Sequence, residues 1–96
     1  MSIVLIGGHD RMHSEYKGVG KSNGCKLKVF TQITPKFAKN IGSPDAIVLF
    51  TNTVSHKMVN TAIKEAKRKN IPVTRSHTSS SNSLNGILQG LKCQVS

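Results

Sequence analysis

Tryptophan is absent from the chain, tyrosine occurs once and phenylalanine three times. No stretch interleaves aromatic and basic residues into a platform on which nucleic-acid bases could stack. Acidic residues are equally scarce: Asp10, Glu15, Asp45 and Glu65 are the only carboxylates. A single one, Asp10, follows an apolar run closely, which excludes paired-carboxylate chemistry. The two cysteines, Cys25 and Cys93, form no CxxC pair and fit no zinc spacing. Reduced thiols are therefore expected. There is no GxGxxG or GxxxxGK[ST] nucleotide fingerprint and no GxSxG elbow. No run approaches the roughly 20 apolar residues of a membrane span. The short apolar run at the start has no basic segment before it, so no secretory leader is expected. The expectation is a soluble, cytoplasmic protein.

Positive charge is what the chain does have. Fourteen Lys and Arg face four acids, for a formal net charge of +10. Such a field attracts anions and speeds their encounter. Nucleic acid, nucleotides, phosphorylated metabolites and acidic partners all fit it. With 96 residues the chain makes one domain, residues 1–96. A domain of this size buries only about 60–65% of its unfolded surface. Pairing with a second copy would add stability, so a homodimer is expected.

Four apolar runs read as strands: Ile3–Ile6, Leu27–Phe30, Ala46–Phe50 and Ile71–Thr74. The first and third are continuous, as in strands buried on both faces. The clearest helix spans about Val54 to Lys69, with Val54, Met58, Ala62 and Ala66 in one stripe. Thr53 or Ser55 suits its cap, and Asn70 its stop. A last helix spans about Ser81 to Lys92, capped by a serine between Ser79 and Ser83. A first helix, about Asp10 to Ser22, is weakened by Gly18 and Gly20, each costing nearly ~1 kcal/mol relative to Ala. A short helix is expected over Pro35–Asn40, with Pro35 at its first position. Strand and helix alternate, which implies right-handed crossovers and a parallel sheet. The reading is a single Rossmann-like α/β domain with four parallel strands in the order 2-1-3-4.

Each strand is followed by polar residues: Gly7, Gly8, His9 and Asp10; Thr31 and Gln32; Thr51, Asn52, Thr53, Ser55, His56 and Lys57; Arg75, Ser76, His77, Thr78, Ser79 and Ser80. A parallel sheet brings them to one edge, where open α/β sheets bind ligands near the topological switch point. In the order 2-1-3-4 that point puts Gly7–His9 opposite Thr51–His56. Helix N-termini there favour an anion. Gly7 and Gly8 permit close backbone approach. Lys57 adds charge, Arg75 can grip a phosphate bidentately, and the Ser and Thr hydroxyls add donors. His9, His56 and His77 each follow a different strand; together they could hold a divalent metal or ligate a haem iron. Lys64, Lys67, Arg68 and Lys69, with Lys26, Lys28, Lys36 and Lys39, could instead track nucleic-acid phosphates. Cys25 lies at the end of the sheet away from this edge, which disfavours a Cys–His nucleophile. A binder is favoured over an enzyme.

The segments VLIGGHDRM, KVFTQ, VLFT-x-TVSHKMV and RSHTSS resemble a small bacterial family known as domain of unknown function 2325. The resemblance covers nearly the whole chain and implies a Rossmann-like fold. It implies no settled activity, although relatives have been suggested to bind haem. The expected function is binding of a phosphate-bearing small molecule, a nucleotide or nucleotide-derived signal, at the strand-end crevice, for sensing or sequestration. Haem or metal binding through the three histidines is the alternative, and nonspecific nucleic-acid binding the third reading.

Overall fold

The computed structural model describes the backbone of residues 1–95 and the side chains of residues 1–91. The side chain of Cys93 lies outside the described residues. The elements follow in the order β1 (Ser2–Ile6), a 3-10 turn (Asp10–Met12), α1 (His13–Ser22), β2 (Lys26–Phe30), α2 (Phe37–Ile41), β3 (Ala46–Phe50), α3 (His56–Lys69), β4 (Val73–Ser76) and α4 (Ser81–Val95). All strand pairs are parallel, in the order β2-β1-β3-β4.

The continuous apolar runs of β1 and β3 occupy the two central positions, where side chains on both faces must be dry. Ile3 and Leu5 face one way with Val48 and Phe50, and are covered by Tyr16 of α1 and by Leu84 and Leu88 of α4. Val4 and Ile6 face the other way with Ile47 and Leu49, under Phe37 and Ile41 of α2 and Met58 and Ala62 of α3. Truncating any one of these buried aliphatic chains costs about 2–5 kcal/mol.

Several boundaries differ from the sequence reading, among them the start of α3, which is His56 rather than Val54 because Ser55 caps it. The fourth strand is Val73–Ser76, not Ile71–Thr74. Asn70 adopts the left-handed conformation, φ 56°, and the Ile71 N–H turns back to the Ala66 carbonyl. Ile71 thus belongs to the C-cap of α3 and packs as its hydrophobic contact. Arg75 and Ser76, expected after this strand, lie inside it, opposite Leu49 and Phe50. The short helix begins at Phe37 rather than Pro35, because the Phe37 N–H closes a turn onto Thr34 O that has Pro35 in its second position. In the first helix the initial turn is 3-10 and α geometry starts at His13. Gly20, costly for the isolated helix, lets α1 rest on β2: a Cβ there would stand 2.8 Å from the Leu27 Cβ.

Candidate functional site

Parallel pairing puts the C-terminal ends of all four strands at one edge. Gly7–Asp10, Thr31–Gln32, Thr51–Lys57 and Arg75–Ser80 therefore share one rim. Within it the anticipated residues divide into an inner, mutually bonded set and an outer, exposed set.

The inner set is centred on Thr53. Its Oγ1 accepts the Gly8 N–H at 2.7 Å, contacts the Phe50 carbonyl at 3.2 Å and meets the Ser79 hydroxyl at 3.1 Å. Ser79 Oγ also donates to Asn52 Oδ1 at 2.8 Å. Three strand-to-helix connections are joined here without a charged group. Gly7 and Gly8 have φ of 107° and 88°. A Cβ at Gly8 would lie 2.6 Å from the Tyr16 ring, and one at Gly7 2.6 Å from Val54 Cγ1. The glycines thus admit the protein's own side chains. Tyr16 escaped the sequence reading of the rim. Its only signal there is the apolar spacing with Met12 and Val19, which marks it as core rather than as a partner of the Ser79 carbonyl.

The outer set comprises His9, Ser55, His56, Lys57, Arg75, His77 and Thr78, all exposed, as is Asn52 of the inner set. Ser55 caps α3, its Oγ accepting the Met58 N–H at 3.3 Å, and leaves His56 and Lys57 in the first turn. Ser80 does the same for α4 through the Ser83 N–H at 3.1 Å. His77 Nδ1 lies 3.3 Å from Thr51 Oγ1, which also donates to the Ser76 carbonyl. Ser76 Oγ is turned onto Thr78 in a local loop. Among the described residues, no group of three His, Cys, Asp or Glu side chains is placed to hold a metal ion.

The rim's electrostatics are uneven. Asp10 accepts hydrogen bonds from Thr31 and, at 2.9 Å, from Gln32, so the negative charge stays at the β1–β2 end. Among the described residues the ion pairs are those of Glu65 with Arg68 and Lys69, at the far end of α3. The hydrogen bond from Arg68 holds the Glu65 carboxyl below its ordinary pKa. Lys57 and Arg75 are left without a carboxylate partner among the described residues.

Beside α3 the rim opens into a cleft of about 400 Å³, lined by Ile33, Thr34, Pro35, Phe37, Ala38, Lys57 and Thr61. Its walls are the β2–α2 connection with α2, and the first turns of α3. Ile33, 40% exposed, is the large hydrophobic side chain left open to solvent among the described residues. Ile33 and its neighbours went unread as site residues because a short apolar segment beside a proline looks like any loop packed on a core. A second cleft, lined by Met1, Lys21, Cys25 and Asp45 among others, lies at the opposite end of the strands.

Fold and rim together define a small Rossmann-like α/β domain with polar residues gathered at the strand-end edge. A family model described as "Uncharacterized protein conserved in bacteria (DUF2325)" matches residues 2–91, and the chain belongs to that family. Among solved structures, a de novo designed Rossmann fold protein is similar, with a TM-score of 0.63 and 22% identity over 94% of this chain and 96% of that one. At that identity the likeness is one of fold. No curated protein matches the chain. Among the described residues no helix is long and apolar enough to cross a membrane.

Proposed function

We propose that this domain is a non-catalytic binding module for a phosphate-bearing small molecule, a nucleotide or nucleotide-derived signal, held at the C-terminal edge of the sheet. The observation that carries the reading is the position of Lys57. It stands in the first turn of α3, on the cationic part of the rim, and it also lines the apolar cleft. A phosphate set against Lys57 and the α3 N-terminus would gain both the side-chain charge and the helix dipole. The rest of the ligand would cover Ile33 and Pro35. A cleft of this size with an apolar lining and one convergent cation has the usual make-up of a small-ligand site. Asp10 borders the same β2–α2 connection, but its carboxylate is taken up by Thr31 and Gln32.

Calorimetric titration tests this with adenosine monophosphate, adenosine, ribose 5-phosphate and inorganic phosphate. The nucleotide should bind more tightly than any of the other three. Ile33→Ser should remove most of the advantage over ribose 5-phosphate, and Lys57→Ala most of the advantage over adenosine. A nucleotide no tighter than inorganic phosphate overturns the reading. A Soret band or stoichiometric metal in purified protein would put the histidines in its place.

A further inference from the structure

The sheet separates the chain's charges. Phe30 packs with Val4 and Ile6 against the α2–α3 layer, so Lys26 and Lys28, four and two residues earlier on β2, project to that same side. Lys28 Nζ confirms the direction by reaching the Asn40 carbonyl in α2 at 3.2 Å. Lys36 and Lys39 stand at the start of α2 and within it, and the outer surface of α3 adds Lys64, Lys67 and Arg68, all exposed. The one acid on this layer is Glu65, already paired with Arg68 and Lys69. Across the sheet, Arg11 of the 3-10 turn and Lys17 and Lys21 of α1 share their layer with Asp10 and Glu15. The eight cations of this face, Lys69 included, outnumber its one acid by seven, the larger part of the formal net charge of +10, on a molecule 30 × 29 × 20 Å in extent.

We propose that the α2–α3 face docks on the phosphate backbone of double-stranded nucleic acid, without reading its sequence. This goes beyond the rim ligand and does not rest on it. Three observations favour this partner. The cations belong to three elements and are spread over the face, as a polyanion needs and a single small anion does not. At one phosphate per strand every ~3.4 Å, a face this wide meets about nine base pairs. The face also lacks the exposed aromatic anchors on which protein interfaces depend: Phe37 is buried, Phe30 is half-buried with its ring against Phe37, and no Trp or Tyr lies there. A membrane surface would ask for an apolar stripe to insert, and Ile33 is the one exposed large hydrophobic chain among the described residues. Absence of aromatics likewise disfavours stacking on unpaired bases, which is why the duplex is the expected form.

Two variants of equal charge loss provide the test. One is Lys39→Gln with Lys64→Gln and Lys67→Gln, on the face. The other is Arg11→Gln with Lys17→Gln and Lys21→Gln, on the opposite layer. Lys57 and Arg75 are untouched, so rim binding is preserved in both. Fluorescence anisotropy with a random-sequence 20-base-pair duplex is read at two salt concentrations, after circular dichroism confirms folding. The face variant should bind at least tenfold more weakly, and its log–log salt slope should fall by about 2–3. The opposite-layer variant should change less than threefold. Equal losses would make net charge the cause and overturn the proposal. Failure of the unmodified protein to bind duplex at ~0.15 M salt, near physiological ionic strength, would overturn it too. So would equal or tighter binding to polyglutamate, to phosphatidylserine vesicles or to a single strand.

Discussion

The Tyr16 hydroxyl donates to the Ser79 carbonyl oxygen at 2.6 Å, joining α1 to the connection between β4 and α4 across 63 residues of chain. The same ring closes over Gly8, and the same hydroxyl lies 3.4 Å from the His9 nitrogen. One side chain thereby sets the spacing of two of the connections that make the rim.

Tyr16→Phe keeps the ring and removes the donor. The Ser79 carbonyl is then buried without its partner, which should cost about 1–3 kcal/mol. Gly8→Ala should be worse, since it adds a left-handed non-glycine backbone at φ 88° to a Cβ 2.6 Å from the ring. Urea unfolding measures both; a Tyr16→Phe protein as stable as the parent would mean that water replaces the hydroxyl.

Gly18 and Gly20 stand two residues apart in α1 and should respond to alanine with opposite signs. Gly18 has open space around it, so Gly18→Ala should stabilise the fold by about 0.5–1 kcal/mol. Gly20→Ala should destabilise it, because the new methyl meets Leu27. Thermal melts of the two variants decide the point, and a shared sign would refute the close helix–strand contact.

Arg75 projects from the edge strand β4 at the register of Leu49. If a ligand phosphate reaches it, Arg75→Ala should weaken binding by roughly 1.5–3 kcal/mol, the range of a charge-assisted hydrogen bond. Calorimetry of a folded variant with unchanged affinity would confine the site to Lys57 and the cleft.

Glu65 gives the fold a mild acid dependence. Its folded-state carboxyl is held down by Arg68, so the ion pair contributes above the ordinary carboxylate range and is lost as pH falls through the lowered value. Glu65→Gln should lower the melting temperature slightly at neutral pH. The gap to the parent should narrow steadily on acidification below about pH 5 and shrink in high salt. A gap that widened in acid would contradict the sign of the shift.

The sheet and its strand order were legible because β1 and β3 are continuous apolar runs and every strand alternates with a helix. Only central parallel strands tolerate Ile3–Ile6 and Ala46–Phe50 without a polar break. Shifts of two residues at β4 and α2 arose where local and tertiary preferences compete. Ile71 is as strand-like as Val73, but the left-handed Asn70 turns its N–H back to α3. Of the rim, the strand-end polar clusters were visible, but their division into bonded and exposed groups was not. Nothing local distinguishes the hydroxyl of Thr53, which knots three connections, from that of Ser55, which caps a helix.

From the sequence alone follow the alternating fold, the parallel sheet, the edge at which polar residues gather and the size of the positive charge. These depend on periodicity, on short connections and on composition, all of which are local or additive. The tertiary structure alone decides that Tyr16 fills the space over Gly8, that Lys57 borders a cleft with Ile33, and that the lysines collect on the α2–α3 face. Each of those depends on which residues distant in sequence share a side of the sheet, and that is settled only when the strands pair and their registers are set.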